Sequence, residues 1–179
     1  MRKYHIVLAL VFAVSFLAGT VAPASVRDPM LEVFRMVTAN YRGLAGGTLY
    51  FNILVQNAMA TIFVVFSGAA LGIVPMFAIG SNGFGLGILY RQAADGSGHG
   101  KALLEILPYG VFEVPALLIA ASYGLWIGVQ VIQRRRGRES APLRANVERA
   151  FRGYFAVVFP LLVVAAAIET ALILWMPKG

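Results

Sequence analysis

Glu113 and Pro115 stand inside Leu107 to Val131, a run otherwise apolar enough and long enough for a membrane span. A carboxylate left in lipid costs at least about 2.5 kcal/mol, so Glu113 is expected to face a protein interior or a water-filled cavity and to have a partner there. Pro115 removes a backbone donor and crowds the carbonyl four residues earlier, which predicts a helix kink beside Glu113. A second carboxylate, Glu169, lies in the last apolar run, and a carboxamide, Asn57, in an earlier one. Counted from the same face of the membrane at about 1.5 Å per residue, all three sit about 10 Å deep. Gln56 and Asn52 extend the polar face of the Asn57 helix, and Arg91 is the cation expected to pair with one of the glutamates.

Such a layer can serve as polar glue that fixes the register of a bundle. It can also be a proton or cation site, because two carboxylates at one depth titrate as a coupled pair. An intramembrane hydrolase or metal centre would need a ligand set that the sequence does not supply, and neither catalytic residues nor a cofactor are assigned. His5 beside a basic terminus and His99 in a glycine-rich loop read as solvated side chains. Asp95, Ser97 and His99 are neighbours in that loop and lack the separate rigid supports of a triad. The chain has no cysteine. The run Gly83 to Gly87 is not a nucleotide fingerprint, since its last glycine is misplaced and no strand precedes it.

The elements that must hold these residues follow from composition. With 59% hydrophobic and 13% charged residues, and a mean hydropathy of +0.77, the chain is too apolar for a soluble domain. Residues 1–179 are expected to form one all-α integral membrane domain, a bundle of about five spans with one short or broken helix. The net charge of +7 collects in one loop, 133–152, which points to topology and anionic lipid rather than nucleic acid.

Arg2 and Lys3 precede an apolar run that reads as a retained first span, the rival reading being a cleaved signal peptide ending near Ala22-Pro23-Ala24. Residues 23–47 form an interfacial segment, with Met30, Leu31, Val33, Phe34 and Val37 on one side of an amphipathic helix. Between Tyr50 and Tyr90 the preferred division is a long helix from Leu49 to Phe77, a turn at Gly80 to Gly83, and a short segment from Phe84 to Ala94. Cutting at Ser67-Gly68 instead gives two ordinary spans. A polar loop, Ala94 to Lys101, leads to the Glu113 span, and a fifth span runs from Phe151 to Met176. Arg134, Arg135, Arg136 and Arg138 mark their loop as cytoplasmic, which places the N-terminus inside and the C-terminus, with Lys178, outside; Arg35 and Arg42 then lie outside. Gly68 and Gly72, Gly83 and Gly87, and Gly124 and Gly128 are each four residues apart, so each pair offers a face where a neighbouring backbone can come close.

Asn57, Ser67-Gly68 with Gly72, Asn82-Gly83 with Gly87, Leu107 to Ala116, Gly124 and Ala167-Ile168-Glu169 together resemble the stage II sporulation protein M family, over roughly Phe51 to Thr170. The family usually has Pro-His-Gly where this chain has Pro108-Tyr109-Gly110, so the histidine that acid–base or metal chemistry there would use is replaced. Glu113 and Glu169 match. The resemblance implies a membrane scaffold, which in spore formers recruits peptidoglycan-degrading partners during engulfment. A scaffold or assembly factor is the expected function, touching membrane lipids and a membrane or cell-envelope protein, with a homo-oligomer left open. The alternatives are a small transporter or ion-coupled subunit using the two glutamates, and then an intramembrane enzyme.

Overall fold

A computed structural model describes residues 1–41, 43–69, 72–138 and 142–175. Arg42, Glu139, Met176 and Lys178, which enter the orientation and span arguments, lie outside them. The described residues form seven α-helices: α1 (Arg2–Thr20), α2 (Ala24–Ala39), α3 (Gly46–Ser67), α4 (Ile73–Ser97), α5 (His99–Arg135), α6 (Leu143–Gly153) and α7 (Phe159–Trp175). A π-helical turn, Tyr154–Val158, joins the last two, so Leu143–Trp175 is one continuous helical stretch. Five stretches are long and apolar enough to cross a membrane: Arg2–Thr20, Gly46–Ser67, Ile73–Ser97, Gly110–Arg135 and Leu143–Trp175.

Two of the turns between helices need glycine. Gly72 (φ +77°) ends the turn between α3 and α4, and Gly98 (φ +83°) makes the tight turn between α4 and α5. Both are left-handed conformations that a side chain resists. The division at Ser67-Gly68 is therefore the one that forms, and the long second helix with a short third segment is not found. α4 runs straight through Gly80 to Gly83, and the expected polar loop before Lys101 shrinks to Gly98. The basic loop is shorter than expected as well, because helix begins at Leu143 rather than at Phe151. α5 continues through Pro108 and Pro115 without interruption.

Two close-packed groups build the bundle. In the first, α1 lies on α4: a Cβ at Gly83 would come within 2.6 Å of the Phe12 carbonyl oxygen, and one at Gly87 would overlap the Phe16 carbonyl. Phe12 and Phe16 are one turn apart, as are Gly83 and Gly87, so the two helices run in the same direction. Gly19 meets the backbone of Phe84 and Gly87 from the other side, an approach that only small residues permit. α2 packs against α4, with Met30 and Phe34 beside Gly85. In the second group, α3, α5 and the α6–α7 stretch surround a core that includes Val65, Ala116, Ala120, Ile127, Tyr154, Val158 and Leu162. Gly68 of α3 sits against the Gly124 backbone of α5, and Gly72 against Leu125. The Tyr154 hydroxyl donates to the Ala58 carbonyl (3.1 Å) and lies 3.0 Å from the Thr61 hydroxyl, tying the π-helical turn to α3. Leu8, Val64, Ile79, Leu117 and Ala121 join the two groups.

These contacts orient the whole bundle. His5 of α1 reaches Ser122 of α5, so the start of α1 lies toward the end of α5 that carries Arg134, Arg135 and Arg136. Gly46 of α3 meets Leu174 of α7 at the opposite end. Helices α1, α4 and α7 thus run one way, and α3 and α5 the other.

Candidate functional site

Asn57, Glu113 and Glu169 lie on three helices, α3, α5 and α7, toward the end of the bundle opposite the arginines. On α5, Glu113 continues the row of Ala116, Ala120 and Gly124, which faces α3 and α7. Along the π-helical turn and α7, Val158, Leu162 and Ala165 are buried at spacings of four and three, and Glu169 takes the next place in that row. On α3, Asn57 stands one turn before Thr61, in line with Val64 and Gly68 on the side that meets α5. Asn57, Glu113 and Glu169 are all half-buried.

Tyr41, from the segment between α2 and α3, closes over this group. It packs beside Leu49, Ile53 and Ala166, and its hydroxyl donates to Gln56 Oε1. Burial pushes the Tyr41 phenol above its ordinary pKa, and the charges of Glu169 and then Glu113 push it further in the same direction. The charges of both carboxylates thus reach one phenol. Because the shift is upward, Tyr41 stays neutral and able to donate throughout the physiological range; the contact is present below the unfolded value of about 10 and is lost as pH rises through the higher folded value. A difference absorbance titration of wild type against Tyr41→Phe should place phenolate formation above about 10. In a Glu169→Gln background the midpoint should move down, toward but not reaching the ordinary value, since burial remains. An unmoved midpoint would mean that Glu169 does not face the phenol.

Other expected members of the layer go elsewhere. Arg91 does not pair with a glutamate: its guanidinium is 2.8 Å from Asp95, four residues on along α4. The sequence reading ended that helix at Ala94, whereas its continuation to Ser97 puts Asp95 one turn above Arg91. Asn52 is on the exposed face of α3, where its amide donates to the Thr48 carbonyl at 2.9 Å. Among the described residues, no cationic side chain lies within 4.0 Å of Glu113 or Glu169, and no three His, Asp or Glu side chains gather as metal ligands.

The glycine faces do form. Gly68, Gly83, Gly87 and Gly124 each touch a neighbouring backbone, Gly72 touches a Leu125 side chain, and Gly128 is buried one turn beyond Gly124. Arg134, Arg135, Arg136 and Arg138 are exposed, and Arg149 lies 6.0 Å over the Trp126 ring.

Two polar contacts were not foreseen. Ser122, fully buried, donates to the Leu118 carbonyl (2.7 Å) and is 2.7 Å from His5 Nδ1. With its one proton already given, the hydroxyl accepts from His5, so Nδ1 carries a proton. His99, expected to be isolated, begins α5 and meets the Tyr90 hydroxyl at 2.9 Å with the rings stacked. Neither was recoverable from local spacing.

Residues 8–172 match the sequence model of the family described as stage II sporulation protein M. The chain belongs to this family. One relative, an uncharacterized protein of Methanocaldococcus jannaschii, is 28% identical over 118 residues, which cover 65% of this chain and 66% of the relative. No solved structure matches. Family membership and the five apolar helical stretches identify a multi-pass integral membrane protein. The family match takes in Asn57, Glu113 and Glu169, all three helical members of the layer.

Proposed function

We propose that the protein is a non-enzymatic scaffold of the cytoplasmic membrane, a rigid platform that holds a membrane or cell-envelope partner. The observation that supports this best is direct backbone contact at Gly68 with Gly124, Gly83 with Phe12, and Gly87 with Phe16. Helices locked in this way keep one packing and a fixed outer surface, whereas alternating access needs helices that repack or rock repeatedly. The arginine-bearing end is cytoplasmic by the positive-inside rule, which places the N-terminus inside and the C-terminus outside. Arg134, Arg135, Arg136 and Arg138 then meet anionic lipid headgroups at that surface.

A second reading, an ion-coupled subunit, is favoured by the convergence of Glu113, Glu169 and Tyr41 without a nearby cation among the described residues. Cross-linking in native membranes, then mild-detergent purification and mass spectrometry, separates the two readings. The comparison is between wild type and the double variant Glu113→Gln, Glu169→Gln. A stoichiometric protein partner is expected with wild type. Recovery of the protein alone, folded in both forms, overturns the scaffold reading and makes proton-coupled flux in liposomes the next assay.

A further inference from the structure

Three helices fix where the arginine-bearing end of the bundle meets the membrane surface. The contact between His5 and Ser122 brings Arg2 and Lys3, at the start of α1, level with the turn of α5 that carries Trp126. Gly153 of α6 lies against the Tyr123 side chain, and the Arg149 guanidinium is 6.0 Å over the Trp126 ring, so the last turn of α6 comes to the same level. Cations and amphipathic rings gathered at one depth mark the boundary between bilayer and water. Two of these cations have no carboxylate. Glu148, the acidic side chain nearest to them in sequence, is held by Arg144 at 2.9 Å, and among the described residues no carboxylate lies within 4.0 Å of Arg149 or Arg152. Arg149 and Arg152 are three residues apart on α6, hence neighbours on one side of it, and both are exposed. From this level a ridge of rings runs toward the bilayer centre: Phe151, Phe155 and Phe159, with centroids 4.7 and 5.8 Å apart. Phe151 and Phe155 are 48% and 47% exposed. Any acyl chain satisfies such a ridge, whereas the two unpaired charges at its head discriminate between headgroups.

We propose that Arg149 and Arg152 bind one anionic phospholipid, its phosphate between the two guanidiniums and an acyl chain along Phe155 and Phe159. A lipid of net negative charge complements the two cations, because it brings no ammonium of its own to oppose them. The ridge supplies the rest of the fit, which a free phosphate could not use. Stacking on Trp126 holds the Arg149 guanidinium at headgroup depth before any lipid arrives, so less side-chain freedom is lost on binding. The loop arginines form no part of this site. Arg134 and Arg135 stand eight and nine residues beyond Trp126 along α5, a rise of about 12 Å or more. The site does not depend on the scaffold reading.

The chain has two tryptophans, so Trp175→Phe leaves Trp126 as a probe inside the site. The full-length protein is reconstituted in liposomes of phosphatidylglycerol and phosphatidylcholine, with one lipid or the other brominated on its chain near the glycerol. Quenching of Trp126 emission is read against mole fraction. Phosphatidylglycerol should be preferred beside Trp126 by about threefold to tenfold. The preference is a ratio within each variant, so changes in the emission of Trp126 itself drop out. Arg149→Gln with Arg152→Gln should bring the ratio to about one at unchanged helix content. Arg149→Lys with Arg152→Lys keeps the charge and should keep most of the preference, as should Arg134→Gln with Arg135→Gln. Equal quenching by both lipids before any arginine is changed overturns the proposal. So does an equal loss in the Arg134 and Arg135 variant, which makes the preference a property of the whole basic surface. Relief of the quenching by inorganic phosphate also overturns it, because the two arginines then serve a soluble anion.

Discussion

Gly68→Ala lowers the stability of the folded bundle by about 2–3 kcal/mol, while Gly47→Ala raises it by about 0.5–1 kcal/mol. The chemical change is the same and the signs differ because the surroundings do. Gly68 closes α3 with φ −54° and ψ −29°, a conformation that alanine adopts freely, so backbone strain is not involved. Its missing Cβ is instead filled by the backbone of Gly124, whose carbonyl oxygen, carbon and Cα would all be overlapped. That neighbour is backbone in the middle of α5 and cannot swing aside, so α3 and α5 must separate and the contacts along their seam loosen together. Gly47 is in the first turn of α3 with nothing within 4 Å, and there alanine only removes freedom from the unfolded chain. Denaturation in mixed detergent micelles, followed by helix content, gives both values. Gly124→Ala should cost a similar amount, and the double variant Gly68→Ala, Gly124→Ala less than the sum, because once the helices have parted the second methyl meets a gap. Equal signs at Gly68 and Gly47 would show that the α3–α5 contact does not limit stability.

Hydropathy and charge carried the five apolar stretches and their alternating directions, because those follow from bulk transfer energies. Counting rise from a common face also put Asn57, Glu113 and Glu169 at one level, and the rows leading to Thr61, Ala116 and Ala165 turn all three inward. The division between α3 and α4 went wrong for a local reason. Gly80-Ser81-Asn82-Gly83 has the composition of a turn, but inside the membrane Ser81 and Asn82 return their polar groups to the Ala78 carbonyl at 3.1 and 2.9 Å, and Gly83 is needed as a seat for Phe12. Packing against α1 therefore overrides turn propensity. The Arg91 error followed from it, since Asp95 becomes a helical neighbour only when α4 continues to Ser97. Tyr41 was passed over because its partners, Gln56, Glu113 and Glu169, are distant in sequence, and only the fold brings the connecting segment down onto them.

A charge-swap series at the polar layer gives the other large effect. Glu169→Lys should fold about as well as wild type, since a lysine there faces the remaining carboxylate of Glu113, and Glu113→Lys should behave likewise against Glu169. The double variant Glu113→Lys, Glu169→Lys restores like charge, and with no carboxylate left in the layer it should be destabilised by about 1–3 kcal/mol beyond the sum of the singles. The physical basis is the common action of both carboxylates on Tyr41, which requires the three groups to share one poorly screened region. The reversed charge also acts on the phenol: two lysines favour phenolate, so in the double variant its midpoint should fall where Glu169→Gln alone lowers it only in part. A static cluster that served only as polar glue between helices would lose stability in both single variants, because each removes a hydrogen-bond acceptor. If single and double variants instead lose stability additively, Glu113 and Glu169 do not face one another, and the layer is two separate sites at equal depth. If the coupling is present and Glu169→Lys still retains its cross-linked partner, the layer holds the bundle together, and partner capture belongs to another surface.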